Sequence, residues 1–273
     1  MIGVFYYYGG KNFGDSINTV LFNTLAKKSF VYKKTPTEPH YMATGSVVHF
    51  SNTNSIIFGT GFISDTSTIS NGIPSDIIAV RGPLTRNKFL KMNVKCPDIY
   101  GDPLLLFPLV YNSSIQVKPK TIGIIPHYID MKSASLQTLI TNLQRKYTVR
   151  IINIEVGTEY KGFIDSIAEC ETIISSSLHG MMMGIVYKKP TILVQFSTNV
   201  IGGLFKFNDF FGSLDISYTV KNVYTTDLLT NTIQVEYMKL RAVGVGLLRA
   251  APFIDSARKN ELIALYSKIY DHE

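Results

Sequence analysis

Short apolar runs and longer amphipathic stretches alternate along most of this chain, and no other feature constrains its fold as tightly. "IGVFYYY" precedes "SINTVLFNTLAKK", "SIIFGTG" follows, and "DIIAV" precedes "LTRNKFLKMN". A second series starts at "TIGIIPH" and runs through "SASLQTLITNLQRKY", "VRIINIEV", "FIDSIAECE", "TIISSS", "LHGMMMGIVYKK" and "TILVQF". Continuously apolar strands are buried on both faces, and helices between them supply the crossovers that a parallel sheet requires. The fold class is therefore α/β. Between the two series, "VYNSSIQVKPK" (Val110 to Lys120) is polar and aperiodic and carries Pro119, the composition of a linker. The expected organisation is two α/β halves, residues 1–115 and 118–273, facing each other across a cleft. Ligands of such sheets bind beyond the carboxyl ends of the strands. After Phe196, "STNVIGGLFKFNDFFGSL" reads as a loop rich in Gly and Phe, and a helical tail is expected from about Thr226 to His272.

Composition removes several function classes. With 273 residues, 45% hydrophobic and 17% charged, the chain can bury substantial cores. It has no run near the roughly 18 apolar residues of a membrane span. "MIGVFYYYGG" lacks the basic flank and cleavage site of a secretory signal. A soluble, cytoplasmic protein without a transmembrane segment is expected. Cys96 and Cys170 are too few for a disulfide framework or a thiolate cluster. His40, His49, His127, His179 and His272 show no paired ligand spacing, and no D-x-D pair occurs. Metal-independent chemistry without a cofactor is expected. The net charge of +7 suits acidic ligands, but only "KKSFVYKK" mixes bases with aromatics, so nucleic acid is not an expected partner.

The junction "TIISSSLHGMMMGIVYKK" reads as a strand running into a helix. Leu178, Met181, Met182, Ile185 and Val186 recur at i, i+3, i+4, i+7 and i+8 as its core stripe. His179 lies about 100 degrees from that stripe, in the first turn, and is expected at the rim of the cleft. Ser176 and Ser177 can cap the helix, whose free N–H groups and dipole would attract a phosphate or carboxylate. A plain serine cap beside a surface histidine is the alternative. Near the start of the chain, "GGKNFGDSIN" puts Gly9, Gly10 and Gly14 at a tight turn, with Asn12 and Asp15 at the sheet's carboxyl edge. Ile17, Val20, Leu21 and Leu25 then form an apolar helix face. Asp15 reads equally well as an N-cap. "IIFGTGF" places Gly59 and Gly61 directly after a strand. "AVRGPLTR" adds Arg81 at a strand end and Arg86 beyond it, and Arg81 there is either a surface ion pair or an anion clamp. "GDPLLLF" and "IIPHY" bring Asp102 and His127 to further turns.

In this order, "NFGD", "GTG", "RGPLTR", "GDP" and "SSSLHG" resemble the polysaccharide pyruvyl transferase family over roughly residues 3 to 215. The run "SSSLHGMMMGIVYKKPTI" is the most specific part, and "FKFNDFFGSL" is similar to a later F-K-x-x-D-Y element. The resemblance implies two Rossmann-like domains similar to the B-type glycosyltransferase fold. It also implies metal-free transfer of the enolpyruvyl unit of phosphoenolpyruvate to two hydroxyls of a saccharide acceptor, giving a cyclic ketal. By matching positions, His179 would be the catalytic histidine of the donor site and Arg81 a donor-binding residue. Within that reading His179 is the candidate acid and Asp15 the candidate base. Ser176, Ser177, Gly180, Gly59, Gly61 and His127 join Arg81 around the donor, and Asn12 and Gly14 lie toward the acceptor. Ser177 departs from the pattern, since many members carry arginine there. The alternative is a nucleotide-sugar-dependent glycosyltransferase of the same fold, with a diphosphate on the helix start and a base against the "FKFNDFF" aromatics.

Overall fold

Two parallel sheets organise the chain, which the computed structural model describes at residues 2–7, 10–34, 37–224 and 228–271. The first contains β1 (Ile2–Phe5), β2 (Phe30–Tyr32), β3 (His40–Met42), β4 (Ser55–Phe58) and β5 (Asp76–Ala79), in the order β2-β1-β3-β4-β5. Its helices are α1 (Phe13–Ser16), α2 (Asn18–Ala26) and α3 (Pro83–Lys91). The second sheet contains β6 (Thr121–Ile125), β7 (Thr148–Ile151), β8 (Thr172–Ser175) and β9 (Thr191–Leu193), in the order β7-β6-β8-β9. With it go α4 (Ala134–Leu143), α5 (Tyr160–Glu169) and α6 (Leu178–Val186), followed by α7 (Phe205–Ser213), α8 (Tyr237–Ala250) and α9 (Ser256–Ile269). The α/β alternation expected from the apolar runs is thus the architecture observed.

The two orders share a property that positions the site. From β1 the chain passes to β2 on one side and then to β3 on the other, and β6 stands in the same relation to β7 and β8. Such reversals leave a crevice at the carboxyl ends of the central strands. The strand sequences explain why the sheets are stable there. β6 is buried at every residue, with Ile122 and Ile124 packed against Leu136, Leu139 and Leu143 of α4, and Ile125 in the cluster on the opposite face. Alternate side chains serve opposite faces, as the strand period requires.

The sequence reading needs correction in three places. Helix α6 is not amphipathic: every residue from Leu178 to Val186 is buried, because helix, sheet and the 3-10 segment Pro103–Leu109 surround it. Residues 205–213, read as a loop, are helix α7, which buries Phe207, Phe210 and Phe211. The lysine-rich stretch before residue 43 hides β2 and β3. Gly9, Thr226 and His272 lie outside the described residues. The tail, grouped with the second half by sequence order, contacts the first as well. Phe253 stacks on Phe22 with centroids 4.4 Å apart, Arg258 donates to the Leu25 carbonyl, and the Tyr266 hydroxyl donates to the Leu105 carbonyl. Cys96 and Cys170 are free and buried. No helix among the described residues is long and apolar enough to cross a membrane.

Packing of α7 on the start of α3 leaves no space at Gly82, where a Cβ would overlap the Asp209 carbonyl. Gly246, within α8, faces open space. Gly82→Ala should therefore cost about 1–3 kcal/mol as an overpacking change. Gly246→Ala should stabilise by up to about 1 kcal/mol through helix propensity. Urea unfolding of both variants checks the pair, and a neutral Gly82→Ala would contradict this packing.

Candidate functional site

A pocket of about 390 Å³ collects side chains from the ends of β1, β3, β6 and β8. Asn12 and Asp15 follow β1, Ser46 and His49 follow β3, His127 and Tyr128 follow β6, and Ser177 to His179 follow β8. Lys206, at the start of α7, Glu155, after β7, and Tyr7 add to the polar lining. Both strand-order reversals therefore supply residues to one cavity.

His179 is the residue most constrained by its surroundings. Its Nδ1 lies 2.8 Å from Asn12 Oδ1, and the Gly14 N–H also donates to that oxygen at 3.1 Å. Because the backbone N–H identifies this atom as the amide oxygen, Nδ1 must carry the ring proton. Nε2 is then a bare lone pair, buried and without a hydrogen-bond partner among the described residues. Burial lowers the His179 pKa to about 3, and the nearby Lys206 and Arg81 cations lower it too. The imidazole is neutral at physiological pH. Gly14 is needed here for space, since a Cβ on it would overlap the His179 ring.

His127 shows the opposite tautomer. Its Nδ1 accepts from the Ile129 N–H at 3.3 Å, which leaves Nε2 as the protonated nitrogen. Burial, then Lys206, brings its pKa down to about 4. His179 and His127 therefore offer the pocket one imidazole acceptor and one imidazole donor, both uncharged, beside His49 on the same lining.

The amine and carboxyl side chains of the lining are Lys206, Asp15 and the exposed Glu155. Lys206 is 8% exposed, and burial followed by Arg81 draws its pKa down to about 8 while Asp15 opposes the fall. Asp15 is half-buried in the same lining, and burial lifts its carboxyl to about 7 against the pull of Lys206, with Asp102 adding to the rise. Asp15 is held by a polar network around Asn18. Asn18 Nδ2 donates to the Asp15 carbonyl at 2.9 Å and to Thr44 Oγ1 at 2.8 Å, and the Thr44 N–H donates back to Asn18 Oδ1.

Arg81 is fully buried and does not line the pocket. It forms neither of the expected arrangements, surface pair or open clamp. Nε donates to Asp209 Oδ2 at 3.0 Å, one terminal nitrogen to Ser46 Oγ at 2.6 Å and the other to the Phe62 carbonyl at 2.7 Å. The Asp209 carboxylate also accepts from the Thr85 amide and hydroxyl. Arg86 likewise points elsewhere, donating to the Cys96 carbonyl.

The serines divide their roles. Ser177 is the N-cap of α6 but makes no side-chain capping bond, so the first-turn N–H groups of that helix are left to whatever enters the pocket. Ser175 instead donates to the Ile125 carbonyl at 2.7 Å and accepts from the Ser177 N–H. Ser176 lies behind the wall, donating to Asp130 Oδ2 at 2.7 Å while accepting from the His127 N–H. The expected donor-site glycines also serve packing. A Cβ on Gly180 would come within 2.6 Å of Ile125 and Ser175, one on Gly59 would overlap Pro103, and one on Gly61 would press on Arg81. Asn12, not Asp15, caps α1, and Asp102 caps the 3-10 segment that follows it.

Sequence reasoning missed Lys206, Asp209, Asp130 and Asn18. For the first two a signal was present, because Phe207, Phe210, Phe211 and Leu214 recur at i, i+3, i+4 and i+7 and would have marked a helix presenting both. Asp130 and Asn18 show themselves only through tertiary contacts. Among the described residues no three His, Cys, Asp or Glu side chains stand together as a metal-holding group.

The family model described as Polysaccharide pyruvyl transferase matches residues 29–197. Uncharacterized protein L143 of Acanthamoeba polyphaga mimivirus is 26% identical over 236 residues, which cover 84% of this chain and 80% of that protein. The Succinoglycan biosynthesis protein ExoV of Rhizobium meliloti (strain 1021) is 26% identical over 218 residues, covering 78% of this chain and 64% of that protein. No solved structure matches the chain.

The His179 tautomer is directly measurable. Nitrogen NMR of the free protein should show Nδ1 protonated and Nε2 bare, with no titration between pH 8 and about 5. Since the folded value lies below the unfolded 6.5, stability linked to His179 is lost as pH falls from about 6.5 toward 3. A midpoint near 6.5 in the folded protein would contradict this environment.

Proposed function

Because the chain belongs to the polysaccharide pyruvyl transferase family, we propose that it transfers the enolpyruvyl unit of phosphoenolpyruvate to two hydroxyls of a saccharide, forming a pyruvate ketal and releasing phosphate. One observation carries the choice of donor: a small pocket in which Lys206, the uncapped start of α6 and the protonated nitrogen of His127 accompany the bare nitrogen of His179. Phosphoenolpyruvate has two anionic groups on a three-carbon frame, and convergent donors of this kind suit it. In this reading the phosphate rests on the first-turn N–H groups of α6 and the carboxylate on Lys206. Lys206 thereby supplies the cation that Ser177 does not. Arg81 acts as a positioning residue, holding Asp209 and with it the helix that bears Lys206.

The protonation states reverse the acid and base roles expected from sequence. Asp15, lifted to about 7, holds the proton that passes to the methylene carbon, while the oxygen of the first sugar hydroxyl bonds to the central carbon and its proton goes to His179 Nε2. The bond from that carbon to the phosphate oxygen then breaks, with His179 returning its proton to the departing phosphate. The second hydroxyl attacks the resulting oxocarbenium centre and gives its proton to the Asp15 carboxylate, which restores the resting state. No metal ion enters this scheme. Residues 1–115 serve as the acceptor side and residues 118–273 as the donor side, in the manner of two Rossmann-like domains. The nucleotide-sugar alternative retains only the half-buried Phe205 of its proposed aromatic platform, because Phe207, Phe210 and Phe211 are buried.

Lys206→Met should raise the KM for phosphoenolpyruvate by roughly ten- to a hundredfold, the range of a lost hydrogen bond to a charged group, and Lys206→Arg should recover part of it. Saturating phosphoenolpyruvate should stabilise the parent by about 2.7 kcal/mol at 100 times its Kd in the presence of EDTA. Stabilisation by uridine or guanosine diphosphate alone would overturn the donor assignment, and a requirement for added metal would overturn the metal-free scheme.

The acid role of Asp15 has a pH signature. kcat/KM should fall as pH rises through about 7, where Asp15 loses its proton, and again near 8 as Lys206 is neutralised. Asp15→Asn should lower turnover by roughly a hundredfold or more and remove the limb near 7. A profile that rises through pH 7 would instead make Asp15 the base.

A further inference from the structure

Among the described residues four aromatic side chains are well exposed, Tyr7, Phe50, Tyr128 and Tyr224, and the first three all border the one pocket described above. Tyr7 and Phe50 lie nearly parallel, with centroids 6.1 Å apart and an interplanar angle of 11°. Tyr128, from the second half of the chain, leans on His127 at 4.4 Å. Ile201, 60% exposed, extends the same rim. Exposed apolar surface concentrated at one place marks a contact site, whereas scattered residues do not. The recess holds about 390 Å³, room for a small ring or a short chain of rings.

The polar groups on this rim narrow its chemistry. Two phenol hydroxyls, the Asn12 amide and the exposed Glu155 carboxylate stand beside the aromatic faces. Flat apolar faces edged by hydrogen-bonding groups match a ligand with an apolar face and a polar edge. A pyranose ring has this form, with C–H bonds on its faces and hydroxyls around its circumference. The exposed Glu155 carboxylate on the same lining disfavours a sugar that carries its own carboxylate. We propose that Tyr7, Phe50 and Tyr128 form a saccharide platform at the mouth of the pocket, on which a neutral pyranose of the acceptor lies with a C–H face against a ring and its hydroxyl edge turned toward Asp15 and His179. The assignment rests on the pyruvyl transfer reading for what happens next, but binding of the sugar itself does not require the donor.

Saturation-transfer NMR tests it on the full chain, with the methyl glycosides of glucose, galactose and mannose as probes and without donor. At least one glycoside should bind. Tyr7→Ala and Tyr128→Ala should each weaken it about tenfold, while Tyr7→Phe and Tyr128→Phe stay within about twofold, because the ring face makes the contact. Tyr224→Ala, at an exposed aromatic away from the pocket, should bind as the parent does. Tyr7 is 49% and Tyr128 44% exposed, so truncation leaves the core intact, and a retained thermal shift with phosphoenolpyruvate confirms folding. Unchanged glycoside affinity in both alanine variants would overturn the platform, as would binding of free uridine or guanosine in place of the glycosides. If phosphoenolpyruvate fails to bind the parent, the pyruvyl reading falls and the glycoside titration alone decides this proposal.

Discussion

Arg81 and Asp209, 128 residues apart in sequence, meet at 3.0 Å with both side chains fully buried. Burying two charges is expensive, and the pair is tolerable only because its remaining donors and acceptors are satisfied. Ser46, Phe62 and Thr85 supply those partners from segments that follow β3 and β4 and from α3. Removing either charge would strand the other in the interior, a loss of about 3–5 kcal/mol. The pair joins α7 to the first sheet's loops, and Lys206 lies one helical turn before Asp209 on that helix. Gly61 and Gly82 are part of the same arrangement, since a side chain on either would meet Arg81 or Asp209.

Burial sets the protonation states around Arg81 and Lys206, and the field of these cations adds to it at His179 and opposes it at Asp15. Both cations act on His179 in the direction of burial, so the ring stays neutral and available as a base. Asp15 responds to the opposite balance. Burial and the Asp102 carboxyl outweigh Lys206, and its proton is retained to about pH 7. An entering dianion would weaken the cationic field at His179 and make protonation of Nε2 easier as the sugar hydroxyl ionises. The site therefore needs no free charge on its imidazoles before the donor arrives.

Much of the fold was legible in sequence because its strands are buried on both faces. "IIF", "DIIA", "TIGII" and "TIIS" appear as uninterrupted apolar runs, and β4, β5, β6 and β8 form there. β2 and β3 were illegible because each has only three residues, and one lies among lysines. His179 was recognisable as a pocket residue from its place after a strand. Its burial was not, because the cover comes from Asn12 and Gly14, 167 and 165 positions away. Arg81 illustrates the limit most clearly. A cation at a strand end carries the same local pattern whether it faces a ligand or an internal carboxylate, and only the packing of α7 distinguishes the two.

The crystal structure of the protein with phosphoenolpyruvate bound tests the central claim most directly. The phosphate should lie within hydrogen-bonding distance of the first-turn N–H groups of α6, the carboxylate on the Lys206 ammonium, and His179 Nε2 beside the central carbon with Nδ1 still on Asn12. A donor seated outside this pocket, or one gripped by an Arg81 released from Asp209, would contradict the account.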